Sequence, residues 1–270
     1  MKKSTFIITV VGVFAWQSQL QAQSNYFSLQ TGYAAGIAQE TNRNSSSSSL
    51  DFSNEKRENV YYSFGEGIQV KLAYGHMFTD VFGVELGVSQ LLGTEHESSG
   101  EYSWGKYISK QKANLTTINP SIVYLFSSNK VSPYAKFGLS GTLGTIKDSY
   151  EYESGSYKNL MESETTSKFN WGITSALGAS LKLNDNLSLL GEASFMSSTF
   201  NPKKLITTKY EIDGEDQLSE MTTREKETVF VDKVTTDNDE EPNDNQPEEY
   251  PSFKLPMSNL AFTFGIKYSF

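Results

Sequence analysis

The chain has 270 residues, with 32 acidic and 23 basic side chains, two histidines and no cysteine. That acid excess disfavours nucleic acid or an anionic surface as a partner held by bulk charge, and the missing cysteines exclude a disulfide scaffold and thiol chemistry. Beyond the N-terminal stretch no run of about 18 apolar residues occurs, so a membrane-spanning helix is excluded as well.

At the start, Lys2 and Lys3 precede a mostly apolar stretch, Phe6–Trp16, followed by Gln17, Ser18, Gln19 and then Leu20-Gln21-Ala22. A basic n-region, an apolar h-region too short to span a bilayer and a small residue before the cut are the pattern of a secretory signal. Residues 1–22 are expected to be cleaved, leaving residues 23–270 with a formal charge of −11.

From there apolar and small or polar residues alternate in eight segments: 26–38, 60–75, 81–94, 113–126, 133–146, 168–183, 187–200 and 257–270. Side chains of a strand point alternately to its two faces, so each segment predicts a strand with one apolar and one polar face. In the second, Tyr62, Phe64, Ile68, Val70, Leu72 and Tyr74 oppose Ser63, Gly65, Gly67, Gln69, Lys71 and Ala73. The last is free of errors: Leu260, Phe262, Phe264, Ile266, Tyr268 and Phe270 against Ala261, Thr263, Gly265, Lys267 and Ser269.

The connections alternate too. Residues 76–80, 127–132 and 184–186 are short; 39–59, 95–112, 147–167 and 201–256 are long. An up-and-down barrel with both termini on one side of a membrane produces this pattern, with tight turns on that side and loops on the other. Aromatics gather near both ends of the segments. Tyr26, Phe27, Tyr74, Phe82, Tyr124, Phe126, Phe137, Tyr268 and Phe270 fall at the short-turn end, and Tyr62, Phe64, Phe169 and Trp171 toward the other, as two interfacial girdles would.

On this pattern, residues 23–270 resemble the small outer-membrane β-barrel proteins of Gram-negative bacteria, of the OmpA/OmpX-like eight-stranded kind within the porin-like barrels. The closing Lys267-Tyr268-Ser269-Phe270 resembles the terminal aromatic signal read by the barrel-assembly machinery, which the resemblance makes a partner through Phe270. It implies an all-β, eight-stranded antiparallel transmembrane barrel in the bacterial outer membrane, in contact with outer-membrane lipid and lipopolysaccharide.

The polar faces of the segments would line the lumen and carry Lys71, Glu85, Lys136, Lys182, Glu192 and Lys267. Eight strands enclose a space that side chains fill, and an unpaired charge there is very costly. These residues are therefore expected to form a salt-bridged plug and not an open pore.

The long loops hold the remaining chemistry. The loop 201–256 carries 15 acidic and seven basic residues, and its stretch 237–249 has seven acids and no base, which predicts an extended or disordered segment. Asp237, Asp239, Glu240, Glu241 and Asp244 are weak Ca²⁺ candidates without the EF-hand spacing or glycine. The run Asn44-Ser45-Ser46-Ser47-Ser48-Ser49 is low-complexity. Tyr150, Tyr152 and Tyr157 would extend a hairpin above the membrane and offer contact residues for an extracellular protein or glycan, or simply pair across strands. His96 and Ser98 stand beside Glu95, Glu97 and Glu101 in what the spacing makes a loop. A His-x-Ser pair beside acids resembles the arrangement of outer-membrane lipid A deacylases, with His96 as base, Ser98 as nucleophile and Glu95 or Glu101 orienting; no surrounding motif matches. Histidine clusters, phosphate loops and Gly-x-Ser-x-Gly elbows are absent, and no cofactor is expected.

Three functions follow in order. The first is a non-enzymatic barrel displaying surface loops for envelope structure, adhesion or partner binding. A small-solute, porin-like channel comes next, and a lipid A deacylase-like hydrolase last.

Overall fold

The alternating segments become strands, and the strands close on themselves. The structure, a computed structural model, describes residues 24–37, 63–102, 105–127, 129–234 and 243–270. The expected signal peptide, the serine tract 44–49 and the Ca²⁺ candidates Asp237, Asp239, Glu240 and Glu241 lie outside them. In chain order the strands are β1 (Ser24–Gly36), β2 (Gly67–Met77), β3 (Phe82–Tyr102), β4 (Gly105–Leu125), β5 (Val131–Ser154), β6 (Tyr157–Ser167), β7 (Asn170–Lys182) and β8 (Leu187–Ser197). Then follow β9 (Thr199–Phe200), β10 (Pro202–Ile212), β11 (Glu215–Asp216), β12 (Glu227–Val231), β13 (Glu248–Pro251), β14 (Leu255–Pro256) and β15 (Asn259–Ser269).

Eight of them form a ring, β1-β2-β3-β4-β5-β7-β8-β15 and back to β1, each pair antiparallel. The closing seam pairs Tyr26 with Ser269 through to Gly36 with Asn259, so β15 meets β1 along its whole length. The alternation decides what faces where. Trp171, Phe264 and Leu177 are each more than 60% exposed on the outer wall, whereas Ala34 and Ala261 are fully buried inside. A band of exposed large apolar side chains around a polar interior inverts a soluble core, and such a wall requires hydrocarbon around it.

The structure revises the long connections. Residues 95–102, 105–112, 147–154 and 157–167 are strands and not loops: β3 and β4 run 21 residues each and β5 runs 24. A crossing takes about 9–11 tilted residues, so roughly half of each strand stands beyond the apolar band. Cross-strand pairs such as Tyr107–Tyr152 and Glu101–Lys106 sustain the ladder that far. Near the rim β5 changes partner. Its Val131–Thr142 half pairs with β7, and its Thr145–Ser154 half pairs with β6, which peels away from the ring. β10 joins β6, β12 joins β10, and β13 lies parallel beside β12.

The acidic loop is thus partly ordered, contrary to its averaged charge. Within 201–234 acids and bases nearly balance, eight to six, and Leu205-Ile206-Thr207-Thr208 and Thr228-Val229-Phe230-Val231 are strong strand formers. The unbalanced acids crowd into 237–249. Asp213 and Gly214, at φ 53° and 86°, make the two-residue turn between β10 and β11 for which Asp-Gly is suited. A helical turn at Thr223–Lys226 carries a Thr222–Glu225 capping box. Strand two also differs from expectation. It begins at Gly67, where φ is 150° and a Cβ would lie 2.2 Å from the Leu92 carbonyl oxygen, so the chain bends inward before it.

Candidate functional site

Two layers of side chains lie across the lumen. In the lower one Lys71 of β2, Glu85 of β3, Lys136 of β5 and Glu192 of β8 converge from four strands. Lys136 Nζ lies 2.9 Å from Glu85 Oε1 and 2.8 Å from Glu192 Oε2; Lys71 Nζ lies 3.3 Å and 3.2 Å from the Oε1 atoms of the same two carboxylates. Tyr26 donates to Glu85 Oε2 at 2.9 Å and Tyr134 to Glu192 Oε2 at 3.0 Å. Two cations, two anions and two phenols therefore satisfy one another in a space where the carboxylates are about 98% buried. Charges this buried persist only with such partners. Tyr26 belongs to this cluster and not to the girdle: it points inward and is 6% exposed. Its place in the β1 alternation, opposite Phe27, was the available signal.

The other two inward charges stand apart. Lys267 places Nζ over the Tyr26 ring, 5.4 Å from its centroid. Lys182 is half exposed at the mouth, 3.1 Å from Asp185 in the β7–β8 turn. Below the cluster a cavity of about 270 Å³ opens at the short-turn end.

The upper layer is apolar. Phe64, Leu115, Phe200 and Met257 are almost completely buried, with Leu91, Ala113, Ile146, Ala34 and Ala261 around them. Three of these side chains come from connections, and backbone bonds hold them: Phe64 N donates to Pro256 O at 3.1 Å and Met257 N to Ser198 O at 3.2 Å. Phe200 also pairs with Leu255 in the β9–β14 bridge. Alongside the charged cluster lies a void of only about 30 Å³, reaching to Asn259 and Met196.

Beyond the rim the sheet β3-β4-β5-β6-β10-β12-β13 has two unlike faces. The register puts Lys110, Lys106, Glu151, Glu153, Lys158, Lys204 and Glu227 on the face that continues the outer wall. There Lys106 meets Glu153 at 2.7 Å, Lys204 meets Glu227 at 2.9 Å, and Lys158 meets Glu151. The Lys106 bond holds the Glu153 carboxyl below its ordinary pKa, and Glu153 raises that of Lys106. The opposite face carries Tyr107, Tyr150, Tyr152, Tyr157 and Tyr210 among serines, threonines and amides. Tyr150 stacks on Tyr107 with centroids 6.2 Å apart, and Tyr152 lies 6.3 Å from Tyr157. Tyr150 and Tyr157 remain about 40% exposed. The three candidate tyrosines thus both pair across strands and present surface.

His96 and Ser98 sit in β3, opposite Gln111 and Ser109, and not in a loop. A register shift between Leu92 and Glu95 turns them to the tyrosine face, with the His96 ring 6.2 Å from Phe64. Glu95 and Glu101, the expected orienting acids, alternate onto the opposite face, where Glu95 reaches Lys110 at 3.8 Å. The strand therefore separates the members of that triad. Asp244 lies in a turn whose backbone oxygen accepts from Arg224 N at 3.2 Å, and no cluster of metal ligands occurs among the described residues.

The model of the outer membrane protein beta-barrel domain matches residues 6–218. The chain belongs to the outer-membrane β-barrel family. No curated protein matches by sequence. Among solved structures, the barrel is similar to Neisserial surface protein A, at 12% identity, 93% of this chain, 100% of that one and a TM-score of 0.44. It is also similar to OprG of Pseudomonas aeruginosa, at 12% identity, 94% and 98% coverage and a TM-score of 0.45. A third is Ail, the attachment invasion locus protein of Yersinia pestis, at 11% identity, 91% and 99% coverage and a TM-score of 0.36.

As an outer-membrane barrel the chain resides in the bacterial outer membrane, its short turns toward the periplasm and its long hairpins outside the cell. The cavity of about 270 Å³ is then a periplasmic vestibule, and the seven-stranded sheet an extracellular structure.

Proposed function

We propose that this protein is a non-enzymatic anchor that holds a rigid β-sheet above the outer membrane for contact with an extracellular protein or glycan, in adhesion or envelope structure. One observation carries this reading: β3, β4 and β5 continue without a break from the barrel wall into the external sheet. A surface fixed to a barrel in this way loses little conformational entropy on binding, which favours recognition over mere loop display. The tyrosine face supplies large, amphipathic contact area, and the ion-paired face keeps the other side solvated. The two layers across the lumen favour anchoring over a small-solute channel, and the separated acids weigh against a lipid A deacylase.

The test expresses the wild type and a Tyr150→Ser/Tyr152→Ser/Tyr157→Ser variant at equal surface density. Adhesion to immobilised matrix proteins and a glycan array is then compared with cells lacking the protein. Adhesion by the wild type that falls at least tenfold in the variant supports the reading. No adhesion above the control, together with stable single-channel steps in planar bilayers, would overturn it in favour of the channel.

A further inference from the structure

We infer that the periplasmic vestibule is a binding site for a phosphate-type oxyanion, centred on Lys267. The inference is independent of what the external sheet contacts.

Charge comes first. Within the vestibule wall, Lys136 is consumed by Glu85 and Glu192, and Lys182 by Asp185. Glu85 and Glu192 are in turn saturated by two lysines and a tyrosine each. Asp80 stands exposed in the β2–β3 turn at the mouth. Lys267 alone among these lysines has no carboxylate within 4.0 Å among the described residues, and only the face of Tyr26 supports it. The deep wall of the vestibule therefore carries one uncompensated positive charge beside a neutral cluster.

Hydroxyl donors provide the second observation. β15 pairs with β1 and β8 so that Lys267 lies directly between Ser28 and Ser188. Ser180 lines the same cavity from the neighbouring β7. Ser180 and Ser188, 4% and 7% exposed, line the cavity without a hydrogen-bond partner among the described residues, while the neighbouring Ser28 hydroxyl is buried and unpaired but does not line it. Side chains this buried are normally hydrogen-bonded, so hydroxyls that open only onto a cavity call for an acceptor within it. An ammonium lacking a counter-ion beside hydroxyls lacking acceptors is a set of donors waiting for an acceptor with several lone pairs. A tetrahedral oxyanion in the cavity offers acceptors to Lys267, Ser180 and Ser188 together, and charge-assisted bonds of this kind are the strong ones. A cavity of about 270 Å³ admits such an ion with part of its hydration.

Phosphate oxygens could reach this mouth from two sources, free phosphate in the periplasm or the headgroup of an inner-leaflet phospholipid. Both present the same chemistry to Lys267. Full-length barrel, folded in a phosphate-free zwitterionic detergent, is titrated with inorganic phosphate in one arm and with dihexanoyl phosphatidylglycerol in the other. Amide shifts of Ser180, Ser188 and Lys267 report occupancy in the wild type without needing a variant. Saturable shifts in the phosphate arm, with Kd of about 1 mM, identify a free-anion site; saturation by the lipid alone identifies a headgroup site. Lys267→Met should weaken either at least tenfold, Lys267→Arg should retain it, and Lys147→Met, in the external sheet, should leave it unchanged. Heat-modifiable migration in gels establishes that each variant is folded. Linear, unsaturable shifts in both arms overturn the inference, as does full binding by folded Lys267→Met.

Discussion

Removing the Lys136 ammonium tests the charged layer most directly. Lys136→Met keeps the stem but deletes contacts of 2.9 Å and 2.8 Å, leaving Glu85 and Glu192 to share Lys71 at 3.3 Å and 3.2 Å. At an effective dielectric of about 20, each lost contact is worth roughly 5 kcal/mol before desolvation is offset. The net loss for breaking a buried pair is about 3–5 kcal/mol, because one carboxylate charge stays uncompensated. Restoring balance should recover part of it. In Lys136→Met/Glu192→Gln the remaining Lys71–Glu85 pair is neutral, and the double variant should be more stable than the sum of single losses by about 2 kcal/mol. Urea unfolding in lipid vesicles, followed by tryptophan fluorescence, gives all four corners of the cycle. A single-variant loss below about 1 kcal/mol, or strict additivity, would refute the idea that these four charges act as one unit.

Other consequences are equally concrete. Phe200→Ala should cost about 3–5 kcal/mol in the same assay, since the side chain is fully buried in the apolar layer. Phe264→Arg, on the lipid-facing wall, should cost about 2–4 kcal/mol in vesicles, whereas the exposed Lys147→Ala in the external sheet should change stability little. Gly265→Ala should block closure, because a Cβ there would sit 1.9 Å from the Leu29 carbonyl oxygen on the seam. Loss of heat-modifiable migration reads that failure. The Glu153 carboxyl, held low by Lys106, should titrate below an ordinary glutamate in carbon-detected NMR. Its pairing thus contributes above the unfolded-state pKa and is lost as pH falls through the folded one, and Lys106→Met should raise the Glu153 pKa toward the ordinary value.

How much was legible depends on the range of the signal. Period two is local: each residue's face follows from its neighbours, so the eight ring strands, the outer wall of Phe262, Phe264 and Ile266, and the inward set of Lys71, Glu85, Lys136, Glu192 and Lys267 were visible in the chain itself. The alternation also put Tyr26 opposite Phe27, although clustering of aromatics suggested a girdle. What the alternation could not convey was height. Which lysine meets which glutamate depends on stagger around a closed ring, a property of all eight strands together.

The external sheet was hidden for a related reason. Above the membrane both faces of a strand meet water, so Glu95–Lys112 and Lys147–Glu164 lose the apolar contrast that marks a strand below, and only cross-strand pairing keeps them extended. In 201–256 a balanced, β-branched half was averaged with an acidic one. By itself, then, the sequence determined that these strands face hydrocarbon on one side and water on the other, because that choice is made residue by residue. Only the tertiary structure decided that β5 leaves β7 for β6, that a charged and an apolar layer lie across the lumen, and that Lys267 stands apart from the carboxylates. Those outcomes depend on register between segments distant in the chain, which no local pattern encodes.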